Sequence, residues 1–281
     1  MSTIYLDHNV ISDIAGIPGS VNGPQGRQQI ESLLHLGFKF VLSAWNMYEL
    51  ARSNNQQHVD QCCAFVEGLN PAWMSDTTKV KRQEVDRFLQ PVFDNLGPVR
   101  NREFSPFNSS VYDMWTTFGE AGRRDETFTS SVELLRARPE FLELIERSAK
   151  KTPEAILIGR TAYQLGYAHL LDRTISEDYF KLLLPPGADR KQLCYLIENQ
   201  DQLLATSPAL AVENAIEKLR IRDSFNPKSS HAADLQHVIA TLGYCDYFVT
   251  ADRQLAQHSS TVTQKLNLQC RVCRNVSDIV S

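Results

Sequence analysis

Four acidic residues, Asp7, Glu49, Asp234 and Asp252, are spaced so that an α/β fold can bring them together. Asp7 follows the β-prone run Thr3-Ile4-Tyr5-Leu6, and Asp252 follows the apolar run Tyr247-Phe248-Val249-Thr250. Glu49 falls in a helix after a third strand-like run, Phe38 to Leu42. In open parallel sheets the loops at the carboxyl ends of the strands form the binding crevice, so these three acids are expected on one edge. Asp234 opens a helix whose apolar stripe is Ala232, Leu235, Val238 or Ile239, and Leu242. That stripe leaves Asp234, His237 and Thr241 on another face, where Asp234 can meet the crevice from the first turn. Clustered carboxylates push at least one pKa upward, and a bound cation removes the penalty. Oxygen ligands without a clustered thiol or imidazole point to Mg²⁺ or Mn²⁺. The chemistry expected of such a set is in-line attack of a metal-activated water on phosphorus.

The positioning elements follow from punctuation. Ser43 is a helix N-cap before Trp45, Tyr48, Glu49 and Ala51, and Asn70-Pro71 ends the helix that carries Val59, Cys62, Cys63, Val66 and Leu69. From about Ala72 to Phe225 helical periodicities alternate with Pro and Gly breaks and no convincing strand is read. The α/β pattern resumes at 226, with Gly243 expected to close the Asp234 helix and Asn267 to Val272 expected as a last edge strand. The expected organisation is an α/β core in two parts, 1–70 and 226–281, interrupted by a helical insertion or lobe over 71–225.

Composition sets outer bounds. With 42% hydrophobic and 22% charged residues the chain reads as globular, and no window approaches the ~18 apolar residues of a membrane span. The start Met-Ser-Thr-Ile-Tyr-Leu-Asp has neither a basic nor a long apolar stretch, so a cytoplasmic protein without membrane partners is expected. Six sparse cysteines, two of them adjacent, suit reduced thiols, and Cys270-x-x-Cys273 lacks the further ligands of a zinc site. A net charge of −4 argues against a broad basic nucleic-acid face. The run Lys218, Arg220, Arg222 and Lys228, which leads into Asp234, is the preferred contact for a phosphate backbone.

At Ile4-Tyr-Leu-Asp7-His8-Asn9-Val10-Ile11-Ser12, Leu42-Ser43…Glu49-Leu50-Ala51, and Asp234 followed by Cys245-Asp246-Tyr-Phe-Val-Thr250-Ala251-Asp252, the chain resembles the PIN-domain nucleases. The resemblance covers roughly 1–70 and 226–281 and not the middle. It implies a Rossmann-like three-layer fold with a parallel sheet. It also implies Mg²⁺- or Mn²⁺-dependent cleavage of phosphodiesters, most often in single-stranded RNA, leaving 5′-phosphate and 3′-hydroxyl ends. Carried over, Asp7, Glu49, Asp234 and Asp252 would be the metal-binding acids, with Asn9 and Thr250 in support and Asp246 either a further supporting acid or the polar start of a strand. An inhibitory protein partner or a homo-oligomer is compatible with this reading. Two other readings stand beside it. One is a non-catalytic binding or regulatory protein on the same scaffold. The other is a phosphatase with Asp7 as nucleophile, which lacks the second carboxylate such chemistry wants because position 9 is Asn.

Overall fold

A computed structural model of the protein describes residues 2–16, 23–93, 104–117, 126–166, 177–222, 228 and 230–279. The loop expected over 226–230 lies outside them except for 228 and 230. Among the described residues six strands form one sheet: β1 (Thr3–Leu6), β2 (Lys39–Leu42), β3 (Ala72–Met74), β4 (Phe107–Asn108), β5 (Tyr247–Val249) and β6 (Arg271–Cys273), in the order β4-β3-β2-β1-β5-β6. All neighbours run parallel except the β3–β4 pair, which is antiparallel. The sheet is therefore mixed rather than purely parallel. Strands β3 and β4 also fall in the stretch expected to hold none, because three and two residues are too short to show a period of two.

Side chains alternate across the sheet as strand geometry requires. Ile4, Leu6, Phe40, Leu42, Trp73 and Val249 point into one apolar cluster, and Tyr5, Val41, Met74 and Phe248 point into another. Helices cover both faces, which gives three layers. The first face is covered by α1 (His8–Ile11), α2 (Gly23–His35), α3 (Ala44–Ala51), α4 (Gln56–Leu69), α6 (Val111–Thr117) and α7 (Phe128–Ala137). The second is covered by α5 (Thr77–Leu89), α12 (Pro208–Arg222), α13 (Ser230–Tyr244) and α14 (Arg253–Leu266). The middle segment thus supplies two strands and helices to both faces. Beyond the sheet, Val85 and Leu89 of α5 meet α9 (Glu177–Leu183), α10 (Arg190–Glu198) and α11 (Gln200–Thr206) in a separate helical cluster with Leu210. The long α8 (Pro139–Gln164) runs beside α7, α12 and α13.

Two local devices fix the helices that matter for the site. Ser43 caps α3 with a reciprocal box: its Oγ accepts from Trp45 N at 3.2 Å, and Ser43 N donates to Asn46 Oδ1 at 2.8 Å. Gly243 does not close its helix, which continues through Tyr244. A Cβ there would lie 2.9 Å from Pro208 Cβ and 3.3 Å from the Ala209 backbone, so the glycine lets α13 lie against the start of α12. No helix among the described residues is long and apolar enough to cross a membrane.

Candidate metal centre

In the strand order, connections leave β1 toward β2 on one side, while β5 pairs with β1 on the other. The gap beyond the carboxyl ends of β1 and β5 is the topological switch point, where such sheets bind their ligands. Asp7 follows β1 there and is buried. Its Oδ2 accepts from Thr250 Oγ1 at 2.6 Å and from Asn9 Nδ2 at 2.8 Å, and its Oδ1 accepts from His8 N at 2.8 Å. Asn9 Oδ1 in turn accepts from Ala251 N at 3.0 Å, so the loops after β1 and β5 are tied through the same side chains. Asn9 and Thr250, expected as supporting residues, both contact Asp7 directly.

Glu49 reaches the same point from α3, and His237 from α13. His237 Nε2 lies 2.9 Å from Glu49 Oε2 and 3.9 Å from Asp7 Oδ1. One ligand atom from each of Asp7, Glu49 and His237 lies within 4.8 Å of the other two. Neighbouring ligands on an octahedral ion with bonds of ~2.1 Å are separated by about 3 Å, so this set can close on one divalent cation with small side-chain adjustments. The other ring nitrogen of His237, Nδ1, lies 2.5 Å from the Tyr5 hydroxyl, which donates to Asn46 Oδ1 at 3.1 Å and lies 2.7 Å from Ser43 Oγ. Asn46 Nδ2 donates to Leu6 O at 3.0 Å, which returns the chain of bonds to β1. An imidazole anchored through its far nitrogen is the arrangement that orients histidine ligands.

The electrostatics follow from burial. Burial pushes the Asp7 carboxyl above its usual value; His237 opposes this, the Glu49 charge adds to it, and the bonds from Thr250 and His8 oppose it. Glu49 is also pushed up by burial, yet the charge and hydrogen bond of His237, with His8 and Arg52, bring it below the usual carboxylate value. For His237, burial favours the neutral ring but is outweighed by Glu49, Asp7 and Asp234, which raise it to about 9. The imidazolium is thus the cation that balances these acids.

The other expected acids are placed differently. Asp234 is half-buried near the group; burial raises it to about 7, Arg220 opposes this, and the charges of Asp7 and Glu49 add to it. Asp252 is exposed and caps α14, its Oδ1 accepting from Leu255 N at 2.7 Å, while its own N–H donates to Thr250 Oγ1 at 3.2 Å. Neither belongs to the close triad. Asp246 stands at the opposite end of the strands, where its Oδ2 accepts from Thr3 N at 2.7 Å and Thr3 Oγ1 at 3.0 Å. At ~3.3 Å per residue that is about 13 Å from Asp7, so it joins β5 to β1 and supports no ligand. Arg220 is buried; burial lowers it, and Asp234, Glu217 and Asp252 act the other way. Arg222 lies over the Tyr163 ring at 5.6 Å, Lys218 is half-buried and Lys228 is exposed.

His237 and Tyr5 are the members that sequence reasoning undervalued. A histidine one turn after an acid reads as a helix-surface group, whereas His237 is 1% exposed. The usable signal was the Asp234, His237, Thr241 face on a helix otherwise lined with apolar residues. The chain matches no family model, no curated protein and no solved structure.

Proposed function

We propose that this chain is a divalent-metal-dependent nuclease of the PIN-like kind, cleaving phosphodiesters of single-stranded RNA in the cytoplasm. The observation that carries the reading is the meeting of Asp7, Glu49 and His237 at the switch point of a three-layer α/β fold. The order of the acids along the chain, which resembles that of PIN-domain nucleases, supports it as well, and six free thiols suit a reducing compartment. The donor set fits Mn²⁺, which takes oxygen ligands and accepts an imidazole beside them, and fits Mg²⁺ through Asp7 and Glu49. When bound, such an ion supplies a nucleophilic water and neutralises charge on the phosphate.

The chain's own groups supply position. Thr250, Asn9 and His8 N hold Asp7 in one orientation, the Tyr5–His237 contact fixes the imidazole, and Glu49 presents its partly exposed carboxylate to the crevice. Asp234 adds negative charge from the first turns of α13, Arg220 offsets it, and Asp252 follows β5 as the N-cap of α14. Asp234 and Asp252 complete the proposed set of metal-directed acids. The buried Arg220, with Lys218, Arg222 and Lys228, is the proposed contact for phosphate on that side.

The test is cleavage of labelled single-stranded RNA by purified protein. Cutting is expected with Mn²⁺ or Mg²⁺, stops in EDTA, leaves 5′-phosphate ends, and is lost in a folded Asp7→Asn variant. Cutting that persists in EDTA, or 2′,3′-cyclic phosphate ends, sinks the metal mechanism. One observation favours the non-catalytic reading instead: the His237 imidazolium already balances Asp7 and Glu49 without an ion. That reading expects RNA binding without cutting and no change of Tm on adding Mn²⁺.

A further inference from the structure

Glu49 borders two features. Its carboxylate meets His237, and the residue also lines an open groove of about 590 Å³ formed by the end of α3, the following turn, α7 and α8. The volume falls in the roughly 300–1,000 Å³ range of small-ligand sites. Arg52, Ser53 and Asn54 form one wall, and Arg136 and Glu146 form the other. The described residues that line the groove include no aromatic side chain and are mostly polar or charged, a lining that suits a sugar–phosphate.

The two arginines carry the inference. Nη1 of Arg136 is shielded from solvent and makes no hydrogen bond. A buried donor left without a partner costs free energy, more when the group is charged, and is uncommon in native structures. Arg136 sits in the last turn of α7, where a positive charge suits the negative end of the helix. That accounts for its charge but leaves Nη1 without a partner, and because the residue is only half-buried and lines the groove, a turn of the guanidinium brings this donor to a ligand there. Arg52 donates from Nε to Glu146 Oε1 at 3.2 Å, with the two side chains 47% and 40% exposed. A pair so open to water is worth little and exchanges readily for a stronger partner. Guanidinium groups match phosphate with paired, charge-assisted bonds, and such a ligand would engage both arginines.

We propose that this groove holds a non-scissile phosphate of the bound RNA strand, next to the phosphate under attack, with Arg136 as its principal contact and Arg52 as its second. This rests on the nuclease reading for the identity of the strand, and it adds a phosphate contact on the Glu49 side of the centre to the one proposed at the Lys218–Lys228 run on the Asp234 side. Ser53 and Asn54, which line the same groove, would meet the adjoining ribose hydroxyl.

The experiment measures affinity for a short fluorescein-labelled single-stranded RNA by anisotropy, in EDTA, over a series of salt concentrations. Arg136→Met keeps the apolar stem and removes the fork; it is expected to weaken binding about tenfold. It should also flatten the slope of log K against log salt by about 0.7, the value for one phosphate contact on a single strand. Arg52→Gln alters an exposed side chain, so it keeps the test valid if Arg136→Met fails to fold, and it is expected to flatten the slope in the same way. Wild-type affinity and slope in both variants, a loss of affinity with an unchanged slope, or no RNA binding by wild type would each overturn the proposal. The nuclease reading fails separately: a wild type that binds RNA but does not cut it with Mn²⁺, while Arg136→Met flattens the slope, leaves the groove standing and removes the reaction.

Discussion

At the scale of single residues, the centre is a charge balance held away from water. His237 gains a proton relative to the unfolded chain, its pKa rising from 6.5 to about 9, so its contribution to stability is complete below 6.5 and is lost as pH rises through 9. Asp234 rises from 3.8 to about 7, so ionising it inside the fold is unfavourable and stability also falls as pH climbs through that interval. Glu49 acts in the opposite sense, but its window lies below the usual 4.5. Asp234 and His237 therefore act in the same direction in succession, Asp234 up to about 7 and His237 from 6.5 to about 9. Tm of metal-free protein is expected to fall between pH 6.5 and 9, and Mn²⁺ is expected to raise it most at the alkaline end, where the imidazole is neutral and the acids most need a cation. Thermal melts in EDTA and in Mn²⁺ across that range check this, and a flat or rising metal-free profile would count against the assigned protonation.

At the scale of elements, Asp252 tests whether a strand-end acid serves the helix or the ion. Removing its cap with Asp252→Ala is expected to cost about 1 kcal/mol, whereas Asp252→Asn keeps a good N-cap and leaves Tm nearly unchanged. RNA cutting by Asp252→Asn is expected to drop less than with Asp7→Asn, since Asp252 stands outside the close triad. A loss equal to that of Asp7→Asn would make it a full ligand. The same scale shows what the sequence could reveal. Strands β1, β2 and β5 were legible because each is an apolar run bounded by a cap or a turn, and the Ser43 cap fixed α3 and with it Glu49. Strands β3 and β4 were hidden by their shortness. Gly243 was misread because a glycine that ends a helix and one that admits a neighbouring helix look alike in one dimension. Asp234 and His237 share a helix face, but only tertiary packing turned that face inward, so the imidazole in the centre could not be read from spacing alone.

At the scale of the whole molecule, the helical middle is joined to the core by a buried acid. Glu84 of α5 accepts from Ala209 N at 2.7 Å and Leu210 N at 3.0 Å at the start of α12, and from the Tyr244 hydroxyl at 2.5 Å at the end of α13. Three donors from two helices converge on one carboxylate, which burial pushes above its usual value and these bonds draw back. Glu84→Ala leaves those donors unmatched and is expected to cost on the order of 3 kcal/mol, lowering Tm by roughly 6–10 °C. A Tm shift below about 2 °C would show that water replaces the carboxylate at that junction. Because α13 carries His237, the same variant is expected to weaken Mn²⁺ stabilisation. The pairing of β1 with β5 has a consequence for the history of each molecule. Asp7 receives its bond from Thr250 across 243 positions, and His237 comes from the same late part of the chain. A growing polypeptide that has emerged only through α12 therefore carries Asp7 and Glu49 without the imidazole or the clasp, and the centre is complete only once its last strands dock.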